Sequence, residues 1–178
     1  KISGGIFGEG ASAQAENFRK LILTIPEDVR VILIKMADRL HNMRTLGSMP
    51  PAKQLKITGE TQYIYAPLAQ RLGFFLIKTE LENLSFKYEQ PSIYSKLERQ
   101  IMQVTPMLED AFRIFIQPIT KILDSYGYDY EIVKRIKSPY SVFKKMQTKH
   151  ITFEEVYDLL AVRIILKPKP NENEKANC

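Results

Sequence analysis

The chain is poor in several residue types on which common functions rest. Its single cysteine, Cys178, is the last residue, so no internal disulfide framework exists, which fits a reducing cytoplasm. Only two histidines occur, His41 and His150, too few for a histidine-rich metal centre. No apolar run reaches the roughly 20 residues needed to span a bilayer. Lys1-Ile2-Ser3 is followed by glycines rather than by the apolar core of a signal segment. There is no internal repeat, and no low-complexity stretch longer than the two ends. A cytoplasmic protein with no membrane partner is expected. With no initiator methionine, a Gly-rich start and a polar tail directly after a strand-like run, the chain reads as an excised fragment.

At 178 residues it can hold one ordinary domain, or one and a part. An apolar fraction of 44% supplies a real core, and 26% charged residues is normal for a soluble surface. The net charge of +6 favours anionic partners, whether phosphates, nucleotides or nucleic acid, without choosing among them.

The chain is organised around Val29 to Leu46, VRVILIKMADRLHNMRTL. Val29, Ile32, Leu33, Met36, Ala37, Leu40 and Met43 recur at three- and four-residue spacing, which predicts one buried helix face. Pro26 precedes a first turn with Glu27 and Asp28, acids that suit the positive end of a helix. Gly47 and Pro50–Pro51 stop it. Upstream, Lys1 to Gly10 holds four glycines and reads as a mobile loop, and Ser12 caps a helix from about Ala13 to Thr24. Downstream, helices are expected over Ala52–Arg71, ended by Gly73, and over Phe74–Tyr88 with Leu76, Ile77, Leu81, Leu84 and Phe86 mostly inward. Two more follow, Ser92–Val104 and, opened by Pro106, a helix to about Ser125 with a mild kink at Pro118. Short connections imply antiparallel neighbours in a bundle.

The character changes at Gly127. Tyr128–Ile136 alternates like a strand, Ser138–Lys149 reads as a short helix with Pro139 in its first turn, and Val156–Leu166 reads as a buried strand. A second, α/β domain is expected to begin near residue 127 and to be cut off, with no further partner strands in the chain.

Two polar constellations stand out. Asp38, His41, Asn42 and Thr45 fall at i, i+3, i+4 and i+7 on one stripe of the organising helix, so a carboxylate, an imidazole, an amide and a hydroxyl can converge on one metal-bound polar ligand. Equally, Asp38 can pair with Arg39 or Arg44, leaving His41 and Asn42 as helix-surface residues. A catalytic divalent ion wants about three or four protein ligands, so co-ligands for Asp38 would have to come from outside this sequence. The second constellation is KRIKSPYSVFKKMQTK, which presents Lys134, Arg135, Lys137, Lys144, Lys145 and Lys149 around a Ser-Pro-Tyr-Ser helix start. Cations beside a helix N-terminus make a phosphate site. A solvated basic face or a nonspecific nucleic-acid patch is the competing reading. Asp158, inside an otherwise apolar run, needs a partner or a metal to offset desolvation.

ADRLHNMRTL, followed by IYAPLAQRLG and IKTELENLSFKY, resembles the hydrolase domain of the RelA/SpoT family of (p)ppGpp synthetase/hydrolases. The resemblance implies an HD-type all-helical fold that removes the 3′-pyrophosphate with a manganese ion. It makes Asp38 the last of the metal ligands and places Asn42 and Thr45, with Arg44 assisting, at the guanosine nucleotide. The family's two-histidine, one-aspartate cluster and its Glu-Asp pair would precede Lys1. The basic segment resembles the opening of the same family's synthetase domain, a nucleotidyltransferase-like fold that transfers pyrophosphate from ATP to GDP or GTP. There the resemblance gives ATP to Arg135, Lys137, Ser141 and Lys145, a magnesium ion to Asp158, and a lesser role to Arg163. Lys134 departs from a glycine found in many members.

The implied architecture is mainly α. Residues 1–50 form the C-terminal part of an HD hydrolase domain, 51–126 a helical bundle completing and linking it, and 127–178 the truncated start of an α/β nucleotidyltransferase-like synthetase domain. The intact hydrolase block favours a bifunctional parent, with the fragment itself inactive and holding neither ion fully. Its partners would be ATP, GDP or GTP, and (p)ppGpp, with any ribosome contact made by regions beyond this chain. The alternative is a non-enzymatic basic helical module that binds RNA or anionic partners. Only Tyr140 and Phe143 interleave its cations, which gives bases little to stack on, so no specific nucleic-acid partner is expected of this segment.

Overall fold

The computed structural model describes residues 28–167. The expected Gly-rich loop, the helix over Ala13–Thr24, the Pro26–Glu27 start and the polar tail lie outside the described residues. By its contacts the chain divides into two units, Lys1–Pro91 and Ser92–Cys178. None of the described helices is long and apolar enough to cross a membrane.

The first unit is helical. Helix α1 (Val29–Arg44) opens at Asp28, whose carboxylate accepts from the Arg30 backbone N–H, and closes through a 3-10 turn at Leu46–Ser48. Helix α2 (Pro51–Glu60) runs through a π-helical segment, Thr61–Tyr65, into α3 (Ala66–Arg71). The sequence predicts one uninterrupted α-helix here. Pro67 explains the difference, because it has no N–H to give the carbonyl four residues back. The ladder widens just before it, and the Ala66 N–H reaches the Thr61 carbonyl, five residues away. Gly73, at φ +78°, ends α3 as expected, with the Phe74 N–H returning 2.8 Å to the Ala69 carbonyl. Helix α4 (Phe75–Glu89) completes the unit.

Two apolar clusters hold these helices together. Ile32 and Met36 of α1 pack with Leu68 and Ala69 of α3, and Met43 and Leu46 pack with Ala66 and Leu81. Tyr65 and Ile77 border both clusters and make them continuous. Each large side chain so buried contributes about 1.5–3 kcal/mol. The buried stripe of α1 is narrower than its apolar pattern predicts, because Leu33 is 44% exposed and Ala37 also faces outward. Leu76 of α4, expected inward, is 83% exposed. It lies one residue off the row of Ile77, Leu81 and Leu84 that meets the core.

The second unit begins in α5 (Pro91–Ser125), a single helix of 35 residues where the sequence predicts two. Pro106 and Pro118 both sit inside it without breaking it. Each withholds one donor, from the carbonyls of Met102 and Ile114, residues that are 68% and 73% exposed and so open to water. Gly127, at φ +69°, ends the helix, and the Tyr128 N–H bonds the Leu123 carbonyl. Strand β1 (Asp129–Ile136), helix α6 (Pro139–Lys149) and strand β2 (Leu160–Lys167) follow. The strands pair with each other, antiparallel, from Asp129 opposite Lys167 to Ile136 opposite Leu160. Among the described residues no further strand joins them, and it is the tertiary structure that sets their antiparallel register, with α6 returning the chain along β1. β2 starts later than its apolar run predicts and alternates in exposure, so it is a one-faced strand and not a fully buried one.

Candidate functional site

On α1, Asp38 and Asn42 lie one turn apart, and the Asn42 Nδ2 donates to the Asp38 Oδ2 at 3.2 Å. Both are exposed, as are His41, Arg44 and Thr45. The Thr45 hydroxyl donates to the His41 carbonyl at 3.1 Å and closes the helix end. Neither arginine pairs with Asp38, contrary to one sequence expectation. Arg39 turns toward the core, with Nη2 2.9 Å from the Glu60 carboxylate and its guanidinium 4.1 Å above the Tyr65 ring. Arg44 forks onto Glu80 of α4, at 2.6 Å from Nε and 2.9 Å from Nη2. Glu80 therefore holds the Arg44 proton more tightly than usual. No local pattern announces Glu60 or Glu80, because each meets its arginine only after the helices fold back. Among the described residues no group of three His, Cys, Asp or Glu side chains gathers to hold a metal. Asp38 therefore stands as a single exposed carboxylate, a donor type that divalent cations accept, with no such group around it among the described residues.

The basic segment is more fully assembled. Ser138 caps α6, its Oγ 3.4 Å from the Ser141 N–H and 3.0 Å from the Ser141 Oγ. Lys145 lies one turn beyond Ser141 on the same face. The Lys137 N–H donates to the Leu159 carbonyl at 2.8 Å, which draws the segment before β2 against the end of β1. Asp158 lies in that segment and not inside the strand, and its side chain is 53% exposed, so the desolvation expected from the sequence is outweighed by its lysine partners. Lys137 Nζ donates to Asp158 Oδ2 at 2.5 Å, and Lys145 Nζ donates to Oδ1. The Lys137 ammonium, seconded by Lys145, holds the Asp158 carboxyl far below the usual carboxylate range.

A cavity of about 210 Å³ opens here, walled by Arg135, Lys137, Ser141, Asp158, Leu159 and Ala161. Four of the sequence-predicted synthetase residues line it, and Lys145 reaches it through Asp158. Arg163 does not. It stands opposite Val133, on the same face as Arg135 but two pairs further along the strands. The sequence missed Leu159 and Ala161, which are apolar and carry no motif. Lys134 belongs to β1 rather than to a loop, and its ammonium meets Glu109 of α5 at 2.8 Å.

In chemical terms the second unit offers two ammoniums, a guanidinium and a capped helix start around one carboxylate, a combination that suits a polyphosphate with a divalent cation. Two family models match the chain, an HD domain over residues 8–75 and a region found in RelA and SpoT proteins over residues 134–177. The class is therefore an HD-domain unit followed by a second, RelA/SpoT-type unit. The chain belongs to the RelA/SpoT family. It is 46% identical over 160 residues to a guanosine-3′,5′-bis(diphosphate) 3′-pyrophosphohydrolase of Aquifex aeolicus, covering 89% of this chain and 23% of that relative. It is 44% identical over 162 residues to a GTP pyrophosphokinase of Myxococcus xanthus, covering 89% and 21%. A GTP pyrophosphokinase rsh of Brucella ovis shares 41% identity over 155 residues, covering 87% and 21%. The chain spans about a fifth of the length of these curated relatives.

Proposed function

We propose that this chain is the middle of a bifunctional enzyme that makes (p)ppGpp by pyrophosphate transfer from ATP to GDP or GTP and degrades it by removing the 3′-pyrophosphate. The observation that carries the reading is the Lys137–Asp158–Lys145 cluster at the start of α6, beside the Arg135 wall. The two ammoniums rest on the carboxylate. A polyphosphate entering the cavity offers them a second anion of higher charge, so each lysine can turn from Asp158 to phosphate oxygens. Arg135 supplies a planar donor fork to the same group, and Ser141 a hydroxyl beside the first turn of α6. Asp158, so released, would hold a magnesium ion, which supplies charge neutralisation at the transferred phosphates.

In the first unit, Asp38 would hold manganese, whose chemistry there is to lower the pKa of an attacking water. Asn42, Thr45 and Arg44 would contact the guanosine nucleotide. Asn42 orients the Asp38 carboxylate through its amide, and Arg44 must leave Glu80 to serve this role. By itself the 178-residue chain is proposed to turn over in neither direction. The reading of an RNA-binding basic module is less supported, since Asp158 and Glu109 already pair three of the lysines in the basic segment.

The test is manganese-dependent release of pyrophosphate from ppGpp by a full-length protein containing this segment and by its Asp38→Ala variant. Loss of hydrolysis with synthesis retained supports the assignment. Unchanged hydrolysis would make Asp38 structural and leave only the basic cluster.

A further inference from the structure

The second unit holds another cavity, of about 410 Å³, between α5 and the segment that leads into β2. Its chemistry is the reverse of the phosphate cavity. Val104 and Leu108 of α5 face Phe153 and Val156, and no lysine or arginine contributes to the wall. The polar groups there are Gln100, Gln103, Glu154 and Tyr157. Glu154 brings a carboxylate, and Gln100 brings a carbonyl oxygen, Oε1, that is shut off from water and has no hydrogen-bond partner. An acceptor buried without a partner costs about 1–3 kcal/mol, so a donor reaching it recovers a real penalty. The last torsion of a glutamine is soft, and a small turn of it presents Oε1 to an occupant. Apolar walls with a carboxylate and an orphaned acceptor exclude phosphates and carboxylates. They select an apolar body that carries N–H donors and positive charge.

The geometry points to a second ligand site in this cavity, for a small aromatic amine in its cationic form, with the ring among Val104, Phe153 and Leu159 and the ammonium at Glu154 and Gln100. Leu159 lines both this cavity and the phosphate cavity, and Tyr157 and Leu159 flank Asp158 in sequence. Residues 157–159 therefore report on occupancy of the amine site even with no nucleotide present.

Amide chemical shifts of the whole 178-residue chain, titrated with tryptamine and separately with indole-3-propionate, test the site. The two probes share a ring and differ in the sign of charge. Tryptamine is expected to give saturable shifts at Gln100, Val104 and residues 156–159, and indole-3-propionate to bind there at least tenfold more weakly. Glu154→Gln, a change at an exposed position, is expected to cut that preference to less than threefold, and Gln100→Leu to weaken tryptamine several-fold. Equal binding of both probes, no saturable shift at these amides, or a preference untouched by Glu154→Gln overturns the proposal. Because no nucleotide takes part, failure here leaves the reading of the phosphate cavity standing.

Discussion

Asp38 and Asp158 are both exposed carboxylates in candidate nucleotide sites, and their surroundings are opposite. Asp38 accepts from a neutral amide on its own helix, while the nearby arginines are drawn away by Glu60 and Glu80. Asp158 sits between two ammoniums brought from the end of β1 and from α6. The first carboxylate has no lysine or arginine paired with it among the described residues. The second is already paired with two ammoniums. One residue type thus stands in two electrostatic settings, and the neighbouring charges make the difference.

The sharpest way to break this comparison is to remove each carboxylate in turn from a full-length protein. Asp158→Ala is expected to lower pyrophosphate transfer by more than about 100-fold, beyond the 10–100-fold usual for outer partners of a metal site, and to leave hydrolysis intact. Asp38→Ala is expected to do the converse. If either variant lowered both reactions together, the two sites would not be separate.

The units also differ in how they are held. Leu81, fully buried between the helices, is expected to cost about 2–5 kcal/mol when cut to alanine, read as a lower urea midpoint. Ile165→Ala on β2, where the side chain is 40% exposed, should stay within about 0.5 kcal/mol. Equal losses would mean that the outward face of the strand pair is covered in solution.

Arg39 and Arg44 sharpen the contrast within α1. Arg39, 13% exposed and stacked on Tyr65, is expected to lose about 1–3 kcal/mol on change to alanine. A smaller effect belongs to Lys145→Ala, which should raise the titration midpoint of the Asp158 carboxyl, read from its carbon-13 shift. A depressed carboxyl contributes stability that is present above its unfolded pKa, about 3.9, and is lost as pH falls through the lower folded value. The variant should therefore narrow the stability difference between neutral and strongly acidic solution, and an unmoved midpoint would mean that Lys137 alone holds Asp158. Arg44→Ala should leave the urea midpoint unchanged, since its pair with Glu80 lies in water.

Much of the fold was legible in the sequence. Apolar spacing marked α1 and α4, Gly73 marked the end of α3, and Ser-Pro marked the start of α6. The misreadings at proline went both ways. Pro106 read as the opening of a new helix and Pro118 as a mild kink, yet both lie inside one helix, because a proline removes only one donor and water covers the loss, whereas Pro67 read as part of an uninterrupted helix and instead follows a π-helical segment. At the sites, Arg135, Lys137, Ser141, Lys145 and Asp158 were all marked by residue type, whereas Leu159 and Ala161 were not, since an apolar wall has no chemical signature.

By itself the sequence determined which groups are available: a stripe of polar residues on α1, a basic helix start, and a lone carboxylate after it. Periodicity and charge are local properties and need no fold to be read. Only the tertiary structure decided which charges meet. Arg44 met Glu80 instead of Asp38, β1 paired with β2, and Asp158 came within reach of two lysines. Those contacts join residues distant in the chain, and a Coulomb energy depends on separation in space, on which spacing along the chain is silent.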